Sequence, residues 1–443
     1  MKFRNKKFSR ETCKKIDNIS LYKKYIYSAS LSIIAYIIIV ALKKETHMSR
    51  IVFINLPAYG HINPTLGLVD ELVKNKEEVI YFSTDEFRNS IENAGGTFKS
   101  LGNELKLPTM KKDGEEAFIM LNLILDSLEY LVDKILLELK DMTIDAVVYC
   151  SMFLVGKIIA TILNVLQISS FAIFASKDQL IEKNHIVIDY NDSRIKEIIH
   201  KHYNVSNSIK NKYNITIPSF IDMLFNKGDI NIAYTSKYMI DDIENYDTTF
   251  KFIGPPIYNR KENIEFPIYK LYNKFVIYIS LGTVYNNINF DIYNNFFKAF
   301  ENVDAVIVLA AYHVDLSNFQ IPDNFIVRDY VPQTDILKYT DVAITHCGMN
   351  STSELICNKI PFVSIPFGAD QLYIAHRIEK LGGTIYLNKN KVNPKILRGA
   401  VEEVLNNPSY LRNLKKIKYS FDNAGGYKKG AYEIINLIKK SKT

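Results

Sequence analysis

At 443 residues the chain is too long for one ordinary domain, and two or three are expected. Its 47% hydrophobic content is ample for α/β cores, and its formal charge of +7 is modest for this size. Much of that charge lies at the N-terminus, in Lys2, Arg4, Lys6, Lys7, Arg10, Lys14, Lys15, Lys23, Lys24, Lys43 and Lys44. The remainder is near neutral, which argues against nucleic acid as the main partner. The four cysteines, Cys13, Cys150, Cys347 and Cys357, form no CxxC pair and no regular spacing. Neither a disulfide framework nor a zinc site is indicated, and a reducing cytoplasm fits best.

Residues 1–47 form a basic extension around an apolar stretch, 25–42, which is about long enough to span a bilayer. It can be read as a signal peptide, a signal anchor or an interfacial helix. No small-x-small cleavage site follows it, since Lys43-Lys44-Glu45 comes next. Alternatively the natural start is Met48, because Met48-Ser-Arg leads straight into a strand. The protein is therefore expected in the cytoplasm, membrane-anchored if residues 1–47 are expressed.

Ile51 to Leu56 reads as a buried strand. Pro57-Ala-Tyr-Gly60 turns, His61 follows, and Asn63-Pro64 has the form of a helix start, with Asn as cap and Pro first inside. Strands follow at Glu78 to Ser83 and Thr97 to Leu101, with a helix between them closed by Gly95-Gly96. Phe118 to Leu139 carries Leu121, Ile124, Leu125, Leu128, Leu131, Ile135 and Leu139 at helical spacing. Asp145 to Tyr149, Ile168 to Phe174 and Asn231 to Thr235 are further strands. Lys183 to Gly228 has no clean period, and Phe252-Ile-Gly-Pro-Pro256 reads as the end of a domain. Residues 254–273 are a charged, proline-bearing linker. From residue 274 the strand–helix alternation restarts, with strands at Lys274 to Leu281, Ala305 to Leu309, Phe325 to Arg328, Val342 to Thr345, Phe362 to Ile365 and Thr384 to Leu387. Such alternation predicts two parallel, doubly wound α/β domains, 48–253 and 274–443, with a substrate cleft between them.

Polar groups crowd one strand–helix unit, Asp341 to Glu354, and a loop after the next strand is expected to deliver Asp370 and Gln371. A helix starting at Asn350 or Ser351 would present free N–H groups to a diphosphate. The same residues allow a plainer reading, because Ser351-x-x-Glu354 has the form of a capping box. His346 alone would be an ordinary packed loop histidine.

Taken together, Pro57-Ala-Tyr-Gly-His-Ile-Asn-Pro64, Ile279-Ser-Leu-Gly-Thr283, Val331-Pro-Gln333, Thr345-His-Cys-Gly-Met-Asn-Ser-Thr-Ser-Glu354 and Asp370-Gln371 resemble the UDP-glycosyltransferase family, in its bacterial macrolide-glycosyltransferase-like branch. The resemblance runs from Met48 to the end. It implies a GT-B fold, two Rossmann-like parallel-sheet domains facing across a cleft. Residues 48–253 would bind the acceptor and residues 274–443 the UDP-sugar, with a last helix at about 427–440 crossing back. It also implies donor-site roles: Gln333 near the uracil, Glu354 on the ribose hydroxyls, Asp370 and Gln371 on the sugar. Ser280, Thr283, His346, Gly348, Asn350 and Ser351 would surround the phosphates. His61 would be the general base of an inverting transfer of a hexose, glucose above all, to a hydroxyl of a small lipophilic acceptor such as a macrolide or phenolic compound. No cofactor and no metal is implied, since the UDP-sugar is the donor substrate and no Asp-x-Asp pair follows a strand in the donor half.

Three positions depart from the family pattern. Cys150 stands where an aspartate orients the histidine, Gln167 where a proline is common, and Cys347 where a glycine is found. A thiol cannot stabilise an imidazolium as a carboxylate can, so Cys150→Asp is expected to raise turnover. Two other readings stay open: a membrane-associated lipid glycosyltransferase, prompted by 25–42, and a nucleotide-sugar-binding protein with weakened catalysis, prompted by Cys150. A dehydrogenase is not supported, because no GxGxxG follows the first strand.

Overall fold

The computed structural model describes residues 48–102, 105, 116–172, 189–260, 264–283 and 290–442. The apolar stretch 25–42 lies outside the described residues. The chain divides into residues 1–48 and 49–443, and the second unit holds everything described below. Its first half contains β1 (Arg50–Ile54), α1 (Tyr59–Lys74), β2 (Glu78–Ser83), α2 (Arg88–Asn93), β3 (Thr97–Ser100), α3 (Glu116–Leu139), β4 (Ala146–Cys150), α4 (Leu154–Leu163), β5 (Leu166–Phe171), α5 (Ser193–Tyr213), β6 (Ile230–Ala233) and β7 (Phe250–Phe252). The second half contains β8 (Val276–Ser280), α6 (Phe290–Phe300), β9 (Val306–Ala310), β10 (Phe325–Arg328), α7 (Gln333–Ile336), β11 (Val342–Thr345), α8 (Met349–Asn358), β12 (Phe362–Ser364), α9 (Ala369–Lys380), β13 (Thr384–Tyr386), α10 (Pro394–Asn406), α11 (Pro408–Asp422) and α12 (Gly426–Ser441).

The strands make two wholly parallel sheets, ordered β3-β2-β1-β4-β5-β6-β7 and β10-β9-β8-β11-β12-β13. A parallel sheet needs helical crossovers, so both faces are covered, and the central strands β1, β4, β8 and β11 are buried almost throughout. Alternation then sorts side chains by face. Val52 and Ile54 of β1 join one core while Ile51 and Phe53 join the other. In β8, Val276 and Tyr278 face one way and Ile277 and Ile279 the other. Although α12 is last in the chain, its Ala431, Ile434 and Ile438 are buried in the first sheet's core beside Leu66 and Val69 of α1. Each fully buried isoleucine contributes about 2 kcal/mol, enough to hold this helix away from its own half.

The strand after β6 meets this return. Gly254 has φ +94, and a Cβ there would come within 3.1 Å of Ala424 Cβ and the Phe421 carbonyl. The chain therefore leaves the first sheet through a left-handed step that glycine makes without strain. The Ile253 carbonyl accepts from Gly426 N at 2.6 Å, tying that exit to the start of α12.

Three local expectations are corrected. Helix α1 starts at Tyr59, with Pro64 inside it; His61 N and Ile62 N both donate to the Ala58 carbonyl and close its first turn before the proline. Pro64 forgoes one bond, which is too little to define the helix start. Helix α8 is capped by Gly348, so Ser351 is its third residue and no Ser351–Glu354 capping box forms. Asp370 and Gln371 lie in the first turn of α9 and not in a loop. The expected domain end, Phe252-Ile-Gly-Pro-Pro256, follows directly on β7, the edge strand paired to β6, and the stretch 183–228, expected to supply helices and loops, includes the 21-residue helix α5.

Candidate active site

In each sheet the strand order reverses beside its first strand, between β1 and β4 and between β8 and β11. Crossovers leave in opposite directions there, and the strand ends open a crevice. The residues singled out by sequence converge on these two points. His61 follows β1 in the first turn of α1, and Cys150 ends β4, one place past the paired Ile54 and Tyr149. Ser280 ends β8 and pairs with Thr345, the last residue of β11, immediately before His346.

The turn carrying His61 is held from behind by a chain of buried polar groups. Asn55 Nδ2 donates to the Tyr81 hydroxyl at 2.7 Å. Thr65 Oγ1 donates to the Ile62 carbonyl at 2.7 Å, so the Tyr81 hydroxyl, 2.8 Å away, donates to Thr65. In front, His61 Nδ1 lies 3.2 Å from Cys150 Sγ. Burial lowers the imidazole from 6.5 to about 4 and raises the thiol from 9.0 to about 11. At neutral pH this pair is an uncharged thiol beside an uncharged imidazole, not a thiolate–imidazolium pair.

In the second crevice His346 is clamped by glycine on both sides. A Cβ on Gly348 would stand 2.4 Å from His346 Nε2, and one on Gly282 2.6 Å from it. His346 Nδ1 donates to the Ser280 carbonyl at 3.4 Å, and burial lowers the ring to about 4. Cys347 adopts φ +66, a backbone state that explains glycine in the resembled family and strains a cysteine. Gly348 has no side chain to cap α8, so the first-turn N–H groups are open to an anion, favoured by the helix dipole. Within that turn Asn350 keeps a buried amide oxygen without a hydrogen-bond partner among the described residues. Thr283 is half-buried just past the Ser280-Leu-Gly turn.

Glu354 and Gln333 are already engaged with each other. Gln333 Nε2 donates to Glu354 Oε2 and, at 3.5 Å, to Ser351 Oγ, while its Oε1 accepts from the Tyr278 hydroxyl at 2.8 Å. The other carboxylate oxygen of Glu354 accepts from Arg260 Nη1 at 2.8 Å, in a pair whose side chains are only 8% and 5% exposed. Each carboxylate oxygen carries two lone pairs, so acceptor capacity toward ribose hydroxyls remains. Gln371 Oε1 accepts from Phe367 N at 2.8 Å and Gly368 N at 3.3 Å, leaving its amide protons for a ligand. Asp370, one residue earlier, is half-buried. At the other end of α9, Arg377 donates to Asp241 and to the Tyr238 and Met239 carbonyls, fastening this helix to the first half.

Arg260 and Tyr278 escaped sequence reasoning. Arg260 sits in a charged linker with no periodic pattern, and Tyr278 reads as an ordinary strand residue. Only folding brings them to Glu354 and Gln333. Tyr427 of α12 closes the back of this region. Its ring lies so near Gly67 of α1 that a Cβ there would meet it at 2.1 Å.

Comparison with known proteins identifies the family. Residues 264–420 match the family model described as UDP-glucoronosyl and UDP-glucosyl transferase. The uncharacterized UDP-glucosyltransferases YojK and YdhE of Bacillus subtilis are 30% and 32% identical to the chain, each covering 89% of it and 98% and 99% of themselves. The NDP-glycosyltransferase YjiC of the same organism is 31% identical over 90% of the chain and 99% of its own length. Among solved structures, the calicheamicin glycosyltransferase CalG4 superposes with a TM-score of 0.70 at 20% identity, covering 89% of this chain and 99% of its own. The glycosyltransferase of kitacinnamycin reaches 0.72 at 19% identity, covering 88% and 99%. These two show the shared GT-B fold. Two parallel-sheet domains, a matching family model and full-length relatives at 30% identity or more make this chain a member of the UDP-glycosyltransferase family, and a glycosyltransferase.

Proposed function

We propose that the enzyme transfers a hexose, glucose above all, from a UDP-sugar to a hydroxyl of a small lipophilic acceptor with inversion at the anomeric carbon. The observation that carries this reading is the position of His61 and of the α8 N-terminus at the switch points of two parallel, Rossmann-like sheets. The first-turn N–H groups of α8, with Ser280, Thr283, His346, Gly348, Asn350 and Ser351, would meet the diphosphate. Glu354, aligned by Arg260 and Gln333, would accept from the ribose hydroxyls, and Gln333 would lie by the uracil. Asp370 and the amide of Gln371 would read the sugar hydroxyls, a reading made selective by the cost of leaving buried polar groups unpaired. His61 would lie against the acceptor oxygen as that oxygen attacks the anomeric carbon and UDP departs, its proton position set by the partner at Nδ1.

The helix dipole supplies the positive end that the departing diphosphate needs. The reading therefore expects turnover to survive chelation by EDTA. Among the described residues no helix is long and apolar enough to cross a membrane. The test is UDP release by the full chain, using a panel of UDP-sugars with phenolic, macrolide and lipid acceptors. His61→Ala should lower it by about 10²-fold or more. Release that ignores both the acceptor and His61 would sink the reading. A second reading, nucleotide-sugar binding with weak catalysis, draws on the thiol facing His61; donor binding without acceptor-dependent release would favour it.

A further inference from the structure

We infer that Cys150 holds His61 in the tautomer with its proton on Nε2, and that this restricts the enzyme to acceptors that reach the site already ionised, namely acidic phenols and enols, over aliphatic alcohols. The inference rests on the transferase reading above. Cys150 is 1% exposed, so its proton is out of reach of bulk water. A thiol that keeps its proton must direct it at an acceptor, and His61 Nδ1 at 3.2 Å is the one hydrogen-bonded to it among the described residues. The S–H therefore donates to Nδ1. A neutral imidazole that accepts at Nδ1 carries its proton on Nε2.

That assignment inverts the usual division of labour. A carboxylate at position 150 could only accept, so it would pull the proton onto Nδ1 and free the Nε2 lone pair for general base catalysis. With the thiol, Nε2–H is a donor. It can hold an oxyanion, but it cannot take a proton from a neutral hydroxyl unless the ring first changes tautomer. No charged side chain shifts His61; burial alone does. The other titratable groups coupled to Cys150 are the Tyr81 and Tyr234 phenols, kept neutral by burial. Among the described residues, therefore, nothing near the pair supplies the missing negative charge. In the step itself a phenolate lone pair forms the bond to the anomeric carbon, the bond to the diphosphate oxygen breaks, and UDP leaves with those electrons. The phenol's proton has already gone to solvent.

The experiment compares kcat/KM of the full chain and its Cys150→Asp and Cys150→Ser variants for 4-nitrophenol, 4-methoxyphenol and cyclohexanol, in falling order of acidity, across pH 5.5 to 9.5. In the native enzyme the inflection of each pH profile should move with the phenol's own ionisation. Cys150→Asp should fix the inflection at one enzyme group for all acceptors and raise the rate on the less acidic ones by about 10²-fold. Cys150→Ser, whose hydroxyl also donates to Nδ1, should keep the native pattern, and it preserves the test if the aspartate variant misfolds. A native profile with one inflection for every acceptor, or equal rates on cyclohexanol and 4-nitrophenol, overturns the tautomer assignment while leaving the transferase reading intact. No UDP release with any acceptor by any of the three proteins overturns both.

Discussion

Arg260→Met tests whether the linker is part of the donor site. Arg260 and Glu354 are 2.8 Å apart and almost wholly covered. At an effective dielectric constant of about 20, charges at that distance attract by about 6 kcal/mol. Removing the guanidinium leaves the carboxylate buried against Gln333 alone, and deleting one partner of a buried pair costs about 3–5 kcal/mol. Replacing both, in Arg260→Met with Glu354→Met, removes the orphaned charge and fills the space with methylene. The double variant should therefore be less destabilised than the sum of the singles, with a coupling of about 2–3 kcal/mol. Urea denaturation gives the four stabilities, and titration calorimetry with UDP follows ribose recognition in parallel. Arg260→Met should also weaken UDP binding, because Glu354 loses the partner that fixes its orientation. Stability of Arg260→Met within about 0.5 kcal/mol of the parent, or strict additivity in the cycle, would refute the reasoning.

Three further outcomes follow from the geometry. Gly348→Ala, at a backbone φ of −63 that alanine tolerates, should push His346 aside and raise the Kd for UDP by about tenfold, or about 1.4 kcal/mol; unchanged affinity by calorimetry would show that His346 does not touch the nucleotide. Tyr81→Phe strands Asn55 Nδ2 and Thr65 behind the His61 turn and should cost about 1–3 kcal/mol in urea, with turnover reduced beyond the stability loss. Acid should destabilise the fold through His61 and His346, both lowered by burial to about 4. Between pH 6.5 and 4 the unfolded chain binds protons that the folded one does not. Stability is therefore full above pH 6.5 and falls as pH drops toward 4, by at most about 1.4 kcal/mol per unit for each ring. Both rings keep a partly exposed edge, so the measured slope should be shallower. A flat denaturation midpoint between pH 7.5 and 5 would contradict this, and His346→Gln should flatten it in part.

Sequence by itself determined the architecture and most of the residues at the two crevices. Continuous apolar runs such as Val276-Ile-Tyr-Ile alternating with amphipathic helices leave parallel, doubly covered sheets as the physical solution. The residues at strand ends, His61, Cys150, Ser280 and His346, then fall at the switch points because chain order dictates where such points arise. Those properties depend on neighbours in the chain, and periodicity records them. Tertiary structure alone decided how the side chains are used. Glu354, a plausible cap partner by spacing, turns instead to Arg260, which lies 94 positions away, because a buried carboxylate is drawn to the nearest cation. The Asn63-Pro64 pair does not start α1, because the Ala58 carbonyl closes the first turn earlier. Above all, the cysteine at position 150 could be read as a missing carboxylate. That its sulfur comes within 3.2 Å of His61 Nδ1, 89 positions away, follows only from the fold, which brings the end of β4 against the first turn of α1.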